Sequence, residues 1–292
     1  MTRPGRAARL ATPIALAALL TLATAPTWLP ANGSAADLAG PGCPVAAPVQ
    51  VTGQVRIAGI DEVSGVVASR RTPGMYWIEE DSGNPARIWG VDLTGARLAS
   101  VRVLDATNLD WEDIALARGR LWVADIGDNF LLRPSIAVYS FPEPLPSARR
   151  VRADLLTLTY PDGPRNAEAL FVDGMRQQLF VVTKEAGTAE VFRTSISTVP
   201  DGSVHELRSV ITLPLNRVTA ADLGRAGVLV KAGDAHLYRW GADRRVSTAL
   251  ATTPCVIAAG PGEAIAFARS PSGLVAIPEG TQPSVYLTPT DP

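Results

Sequence analysis

One weak motif returns five times in this chain of 292 residues. An acidic residue or a stand-in precedes a short apolar run. The copies read Glu62-Val-Ser-Gly-Val-Val67, Asp110-Trp-Glu-Asp-Ile-Ala115, Asn166-Ala-Glu-Ala-Leu-Phe171, Thr219-Ala-Ala-Asp-Leu223 and Gly262-Glu-Ala-Ile-Ala-Phe267. They lie about 40–55 residues apart, the repeat length of a propeller blade. A unit of that size cannot bury its own apolar face. It must stack on its neighbours, so the repeat constrains the fold more than any single residue does.

Each repeat holds further apolar runs with strand-like alternation. The second runs include Met75-Tyr-Trp-Ile78, Leu121-Trp-Val-Ala124 and Leu179-Phe-Val-Val182. Third runs follow at Arg87–Val91, Ile136–Tyr139 and Ala189–Phe192, and fourth runs at Ser100–Leu104, Leu155–Leu158 and Ser209–Leu213. Four strands per unit make a β-propeller blade. The expected fold is therefore all-β: a single propeller of five blades, with six as the alternative. The last repeat stops after three strands, near Pro289. A strand at Gln54-Val-Arg-Ile57 is expected to complete it and close the ring.

The amino terminus reads differently. Arg3, Arg6 and Arg9 precede an apolar run from Leu10 to about Ala25, the layout of a secretory signal peptide. A retained membrane anchor is the alternative, but Pro13 and Pro26 interrupt a run already short for a span. The expected organisation is a signal over 1–36, a linker over 37–50 and the propeller over 51–292. The mature protein would be secreted or held in the cell envelope, with no membrane span. In that setting Cys43 and Cys255 are expected to pair, clipping the N-terminal segment to the closing blade. Of 27 basic residues only Lys184 and Lys231 are lysines, and no basic run follows the leader, so nucleic acid is not an expected partner.

The chemistry lies in the carboxylates. Equivalent positions of radial blades form rings, and the first strand of a blade lines the channel. Glu112, Glu168 and Glu263 share one motif position, with Ser64 and Ala221 in the other two repeats. Asp113 and Asp222 share the next. Aligning the second strands places Glu79 with Asp125 and Thr183, and Asp81 with Gly127 and Glu185. The expected channel face holds Glu62, Glu112, Asp113, Glu168, Lys184, Glu185, Asp222, Glu263 and Glu279. Like charges held together recruit a cation or raise one another's pKa, and hard oxygen ligands suit Ca²⁺. Asp125, Asp128 and Asn129, around Gly127, form the local Ca²⁺ candidate. Two readings stay open: a metal site, or a ring of structural hydrogen bonds. Trp111 has a similar choice between packing and stacking on a ligand at the channel mouth. There is no nucleophile elbow, no histidine pair with metal-ligand spacing and no glycine-rich phosphate loop.

The segments Glu62-Val-Ser-Gly-Val66, Tyr76-Trp-Ile-Glu-Glu-Asp-Ser-Gly83, Asp110–Ala115, Asp125-Ile-Gly-Asp-Asn129 and Gly262–Phe267 resemble a group of bacterial exported propellers. That group is similar to the SdiA-regulated and esterase-like phytase families, and more loosely to TolB-like and NHL-like propellers. The phytase resemblance implies calcium-dependent phosphate-ester hydrolysis in an acidic channel, carried onto Glu112, Asp113, Glu168, Glu185 and Glu263. Ser64 and Ala221 depart from that pattern. The residues themselves favour a non-enzymatic protein that binds a ligand or cell-envelope partner across the channel face, with a Ca²⁺-dependent phosphoesterase as the alternative.

Overall fold

The computed structural model describes residues 42–197 and 203–291. The leader expected over 1–36 and the start of the linker over 37–50 lie outside the described residues. Strand pairing builds five blades. The chain opens with β1 (Gln50–Gln54). Blade one is β2 (Val63–Ala68), β3 (Met75–Glu80), β4 (Arg87–Asp92) and β5 (Arg97–Leu104). Blade two runs β6 (Trp111–Ala117), β7 (Arg120–Asp125) and β8 (Ile136–Pro142), detours through β9 (Arg150–Arg152) and ends in β10 (Asp154–Thr159). Blade three is β11 (Ala167–Asp173), β12 (Gln178–Thr183) and β13 (Ala189–Ser195), then β14 (Ser203–Glu206) and the outer β15 (Arg208–Leu213). Blade four is β16 (Ala220–Leu223), β17 (Gly227–Ala232) and β18 (Asp234–Arg239), then the short α1 (Val246–Leu250) and the outer β19 (Cys255–Ile257). Blade five is β20 (Ala264–Arg269), β21 (Ser272–Ile277), β22 (Ser284–Pro289) and, antiparallel on its outside, β1.

Each joint between blades is one apolar cluster. Trp77, Val101, Trp111 and Phe141 fill the joint of blades one and two; Phe171, Phe180, Val228 and Tyr238 fill that of three and four. The inner strands β2, β6, β11, β16 and β20 are rich in alanine and valine because five blades leave little width at the axis. Outer strands alternate instead: β5 is buried at Ala99, Val101 and Val103 and exposed at Arg102.

Two expectations need correction. The closing strand is Gln50–Gln54, not Gln54–Ile57: Val55 and Ile57 turn inward and bury 0% and 4% exposed in the joint of blades one and five. The disulfide forms, but Cys255 lies on the outer strand of blade four. It therefore bolts the segment leading into blade five to the blade before it. The same kind of overlap occurs around the ring, always from the connection between third and fourth strands. β9 pairs with β5, β14 pairs with β10, and α1 packs on β15. The β4–β5 turn completes the set: Gln54 and Arg56 donate backbone N–H bonds to the carbonyls of Thr94 and Gly95. Among the described residues no helix is long and apolar enough to cross a membrane.

Candidate functional site

The five motifs stand at the N-terminal ends of the inner strands, so their polar residues gather at one mouth of the channel. Local irregularity aims them. β6 has a bulge between Trp111 and Asp113, and β11 has one between Ala167 and Ala169. The extra residues are Glu112 and Glu168. A bulge leaves one residue unpaired and re-aims its side chain. Both glutamates are nearly fully buried there. In β2 the bulge takes in Ser64 and Gly65, opposite Glu79. The equivalent pairs are Val63 with Glu80, Trp111 with Asp125 and Ala167 with Thr183, so Glu80, not Glu79, is the counterpart of Asp125 and Thr183. The alignment of apolar runs is off by one at that place because β3 starts on apolar Met75, at the position that Arg120 and Gln178 hold in β7 and β12.

Glu79 then falls into the channel wall. A Cβ on Gly65 would collide with Glu79 Oε1 and with the backbone of Asp113 and Ile114. The glutamate is fully buried, and among the described residues only the Gly65 backbone N–H faces its carboxyl, outside good hydrogen-bond geometry. Burial, then the charges of Asp113, Asp81 and Glu80, lift its pKa well above the ordinary value of 4.5. A side chain that is neutral in the fold but ionised in the unfolded chain stabilises most below pH 4.5, and that contribution is lost as the pH rises. Each pH unit in that window costs about 1.4 kcal/mol. Glu79→Gln removes the dependence. In chelator, its melting temperature is expected to gain on the wild type steadily from pH 5 to pH 7. A constant difference between the two proteins would show that Glu79 is ionised in the fold.

Beside it, Asp81, Asp110 and Glu112 converge, with one oxygen from each within 4.8 Å of the others. No lysine or arginine forms an ion pair with any of the three among the described residues. Burial pushes Asp81 up to about 6, with Asp110, Glu279 and Glu62 adding to it. Burial also raises Glu112 strongly, and Glu168 contributes. Gly127 completes the cradle: a Cβ there would land on Glu112 Oε1 and Asp110 Oδ2. Three hard carboxylate donors, two of them packed against a glycine where any side chain would displace them, suit Ca²⁺ or a similar cation.

The rest of the mouth is a second network. Lys184 Nζ donates to Glu168 Oε2 at 2.5 Å and lies 3.5 Å from Glu263 Oε1. Burial lowers the lysine's pKa, but Glu168, Glu263 and Glu112 outweigh it, and the ammonium is held charged. Glu279 is raised by burial and by Glu263 and Glu62, which places it on the same rim. Glu62 accepts from Asn84 there. Glu185 turns outward to Arg165 at 2.8 Å.

Three groups expected at the face do other work. Asp113 sits on the axis, accepting backbone N–H bonds from Ile114, Leu170 and Ala221 at 2.8, 2.8 and 3.1 Å. Asp222 accepts from Leu223 and from Phe267 of blade five. The local Ca²⁺ candidate is satisfied by protein donors. Asp125 holds Arg133 at 2.7 Å and receives the N–H groups of Leu109 and Asp110. Asp128 caps Leu132 and Arg133, and Asn129 accepts from Asn166. This loop is the support under Asp110. Trp111 is wholly buried and donates to the Thr107 carbonyl, which places it in the core. Asp110 and Asp81 are the site residues missing from the channel face expected from sequence, although Asp81 aligns there with Glu185. Both abut strand ends at this mouth.

No protein-family model matches the chain, and no curated protein matches it by sequence. Solved structures do align. A gluconolactonase from Xanthomonas campestris shares 15% identity over 87% of this chain and 98% of its own, with a TM-score of 0.49. A luciferin-regenerating enzyme shares 10% over 79% and 78%, with a TM-score of 0.43. A chain of a nidogen–laminin complex shares 10% over 75% and 76%, at 0.44. The blade count and topology rest on the strand pairing itself.

Proposed function

We propose that the acidic mouth is a divalent-cation site, Ca²⁺ first, through which an exported protein binds an oxygen-rich ligand or cell-envelope partner. The observation that carries this reading is the convergence of Asp81, Asp110 and Glu112, with the last two close against Gly127. Their mutual repulsion and burial favour a bound cation over three bare charges. Asp125 supports the backbone under Asp110, so the donors are held before any ion arrives. A cation there would keep part of its coordination free for ligand oxygens.

The test is calorimetric unfolding with Ca²⁺ and with chelator. At a hundredfold excess over Kd the native state gains about 2.7 kcal/mol. For a domain of this size that is a rise of about 5–10 °C. Glu112→Gln and Gly127→Ala are expected to abolish the rise, whereas Asp162→Asn, on the outer rim, keeps it. Equal behaviour of wild type and Glu112→Gln with Ca²⁺ rules the site out.

A second reading, a Ca²⁺-dependent phosphoesterase, is favoured by Glu168. Its carboxyl is raised by burial, against the pull of Lys184, and it lies in electrostatic reach of Glu112. A group of that kind can hold and release a proton beside a bound substrate. The cation would supply Lewis acidity. Hydrolysis of phosphate esters that needs Ca²⁺ and disappears in Glu168→Gln would establish this reading. Ca²⁺ binding without turnover leaves the binding role.

A further inference from the structure

The opposite mouth carries the opposite charge. The inner strands all enter at the acidic mouth and leave at the other, where each turns into the second strand of its blade. Every one of these five strand exits carries an arginine: Arg70 (beside Arg71), Arg118, Arg176 and Arg225 in the turns, and Arg269 as the last residue of β20. Arg176 is paired, with Asp173 at 3.4 Å. The side chains of the other four form no ion pair among the described residues, although the chain as a whole has a formal charge of −1 and the Arg70 backbone N–H donates to Glu143. Arg118, Arg225 and Arg269 are exposed. Arg70 and Arg269 lie in electrostatic reach of each other and of Asp222 on the axis, and Arg70 also of the buried Glu143, whose Oε1 already accepts from Ser69, Trp77 and the Arg70 backbone N–H. Asp222 is already committed to the N–H groups of Leu223 and Phe267. Two acids committed in this way, against four arginines without an ion pair, leave the ring with excess positive charge.

Solvation of single turn residues would not place an arginine at the same topological step in all five blades. Like charges gathered around an axis repel, and their fields add where they converge. Guanidinium groups match phosphate and carboxylate oxygens two at a time. A linear polyanion calls for a stripe of cations along one face; a ring calls for a compact guest. We propose that the arginine-rich mouth is a binding site for a compact polyvalent anion, one molecule bearing several phosphate or carboxylate groups. Arg70, Arg225 and Arg269, on three consecutive blades, form its centre, and Arg118 widens it. The site lies across the molecule from the carboxylate cradle and does not depend on it.

Titration calorimetry with tripolyphosphate as the probe tests this, in chelator so that no cation at the acidic mouth contributes. Saturable one-to-one binding is expected. It should weaken about tenfold in R70Q/R269Q and fall with added salt, as charge-assisted contacts require. R102Q, an exposed arginine of blade one outside the turns, should bind as the wild type does. R225Q removes an exposed, unpaired side chain and gives an independent loss if the double variant folds poorly. Absence of saturable binding overturns the proposal. So does an equal loss in R102Q, or binding to phosphatidylglycerol vesicles without binding to tripolyphosphate.

Discussion

Replacing Asp113 with alanine is expected to lower the melting temperature by on the order of 10 °C, a loss of roughly 3–6 kcal/mol. The side chain is wholly buried on the axis. Its two oxygens receive backbone N–H groups from β6 itself, from β11 and from β16. Burial drives its pKa up, and the three donors pull against that. Alanine leaves three buried donors with no acceptor, at about 1–3 kcal/mol each. Asp113→Asn should fall between the two proteins, because one oxygen survives and the new amide group faces a donor. Thermal unfolding checks both. If alanine is as stable as the wild type, the channel is wet enough for water to replace the carboxylate.

Loss of the disulfide is expected to be comparable. Cys43 and Cys255 close a loop with a sequence separation of 212. Chain-entropy reasoning gives roughly 4–5 kcal/mol for so long a loop, with the mechanism dependent on the model. The double replacement Cys43→Ser/Cys255→Ser should lower the unfolding free energy from denaturant titration by that amount, and reductant should do the same to the wild type. The loss should be felt first at β1, whose hold on blade four is this covalent bond. Hydrogen exchange would report it as faster opening of Gln50–Gln54 than of the inner strands. Uniform acceleration throughout the ring would mean that the bridge acts only on the unfolded chain.

Much of this fold is legible in the chain because a blade is a local object. Runs such as Leu179–Val182 and Ala189–Phe192 alternate with turns, and a repeat that returns five times averages away local ambiguity. The fourth strands at Ser100–Leu104, Leu155–Leu158 and Ser209–Leu213 stand where expected. The closing strand was displaced by a few residues because Val55 and Ile57 are apolar enough to read as strand, while their burial comes from the joint with blade five. β9 and β14 were invisible, since short parallel strands of mixed composition gain their order from a neighbour distant in sequence. The site was half legible. Motif position identified Glu112, Glu168, Glu263 and Lys184 as neighbours at one mouth, and Lys184 meets both Glu168 and Glu263. It did not separate carboxylates that face the mouth from Asp113 and Asp222, which bond the strands together across the axis. That distinction is set by bulges, and a bulge has no composition of its own.

The overlaps between blades also fix how this molecule carries mechanical load. Val45 to Ala47 lie alongside Pro289 to Asp291, so both ends of the described chain leave from one spot. A pull on the amino end passes through Cys43 into β19 before it can peel β1 away. A pull on the carboxyl end must shear β22 from β21 and β1 together, with the bonds loaded side by side rather than opened one at a time. A chain gripped by its two ends therefore resists extension at blades four and five, while the acidic mouth, built mainly from blades one to three, stays out of the line of force.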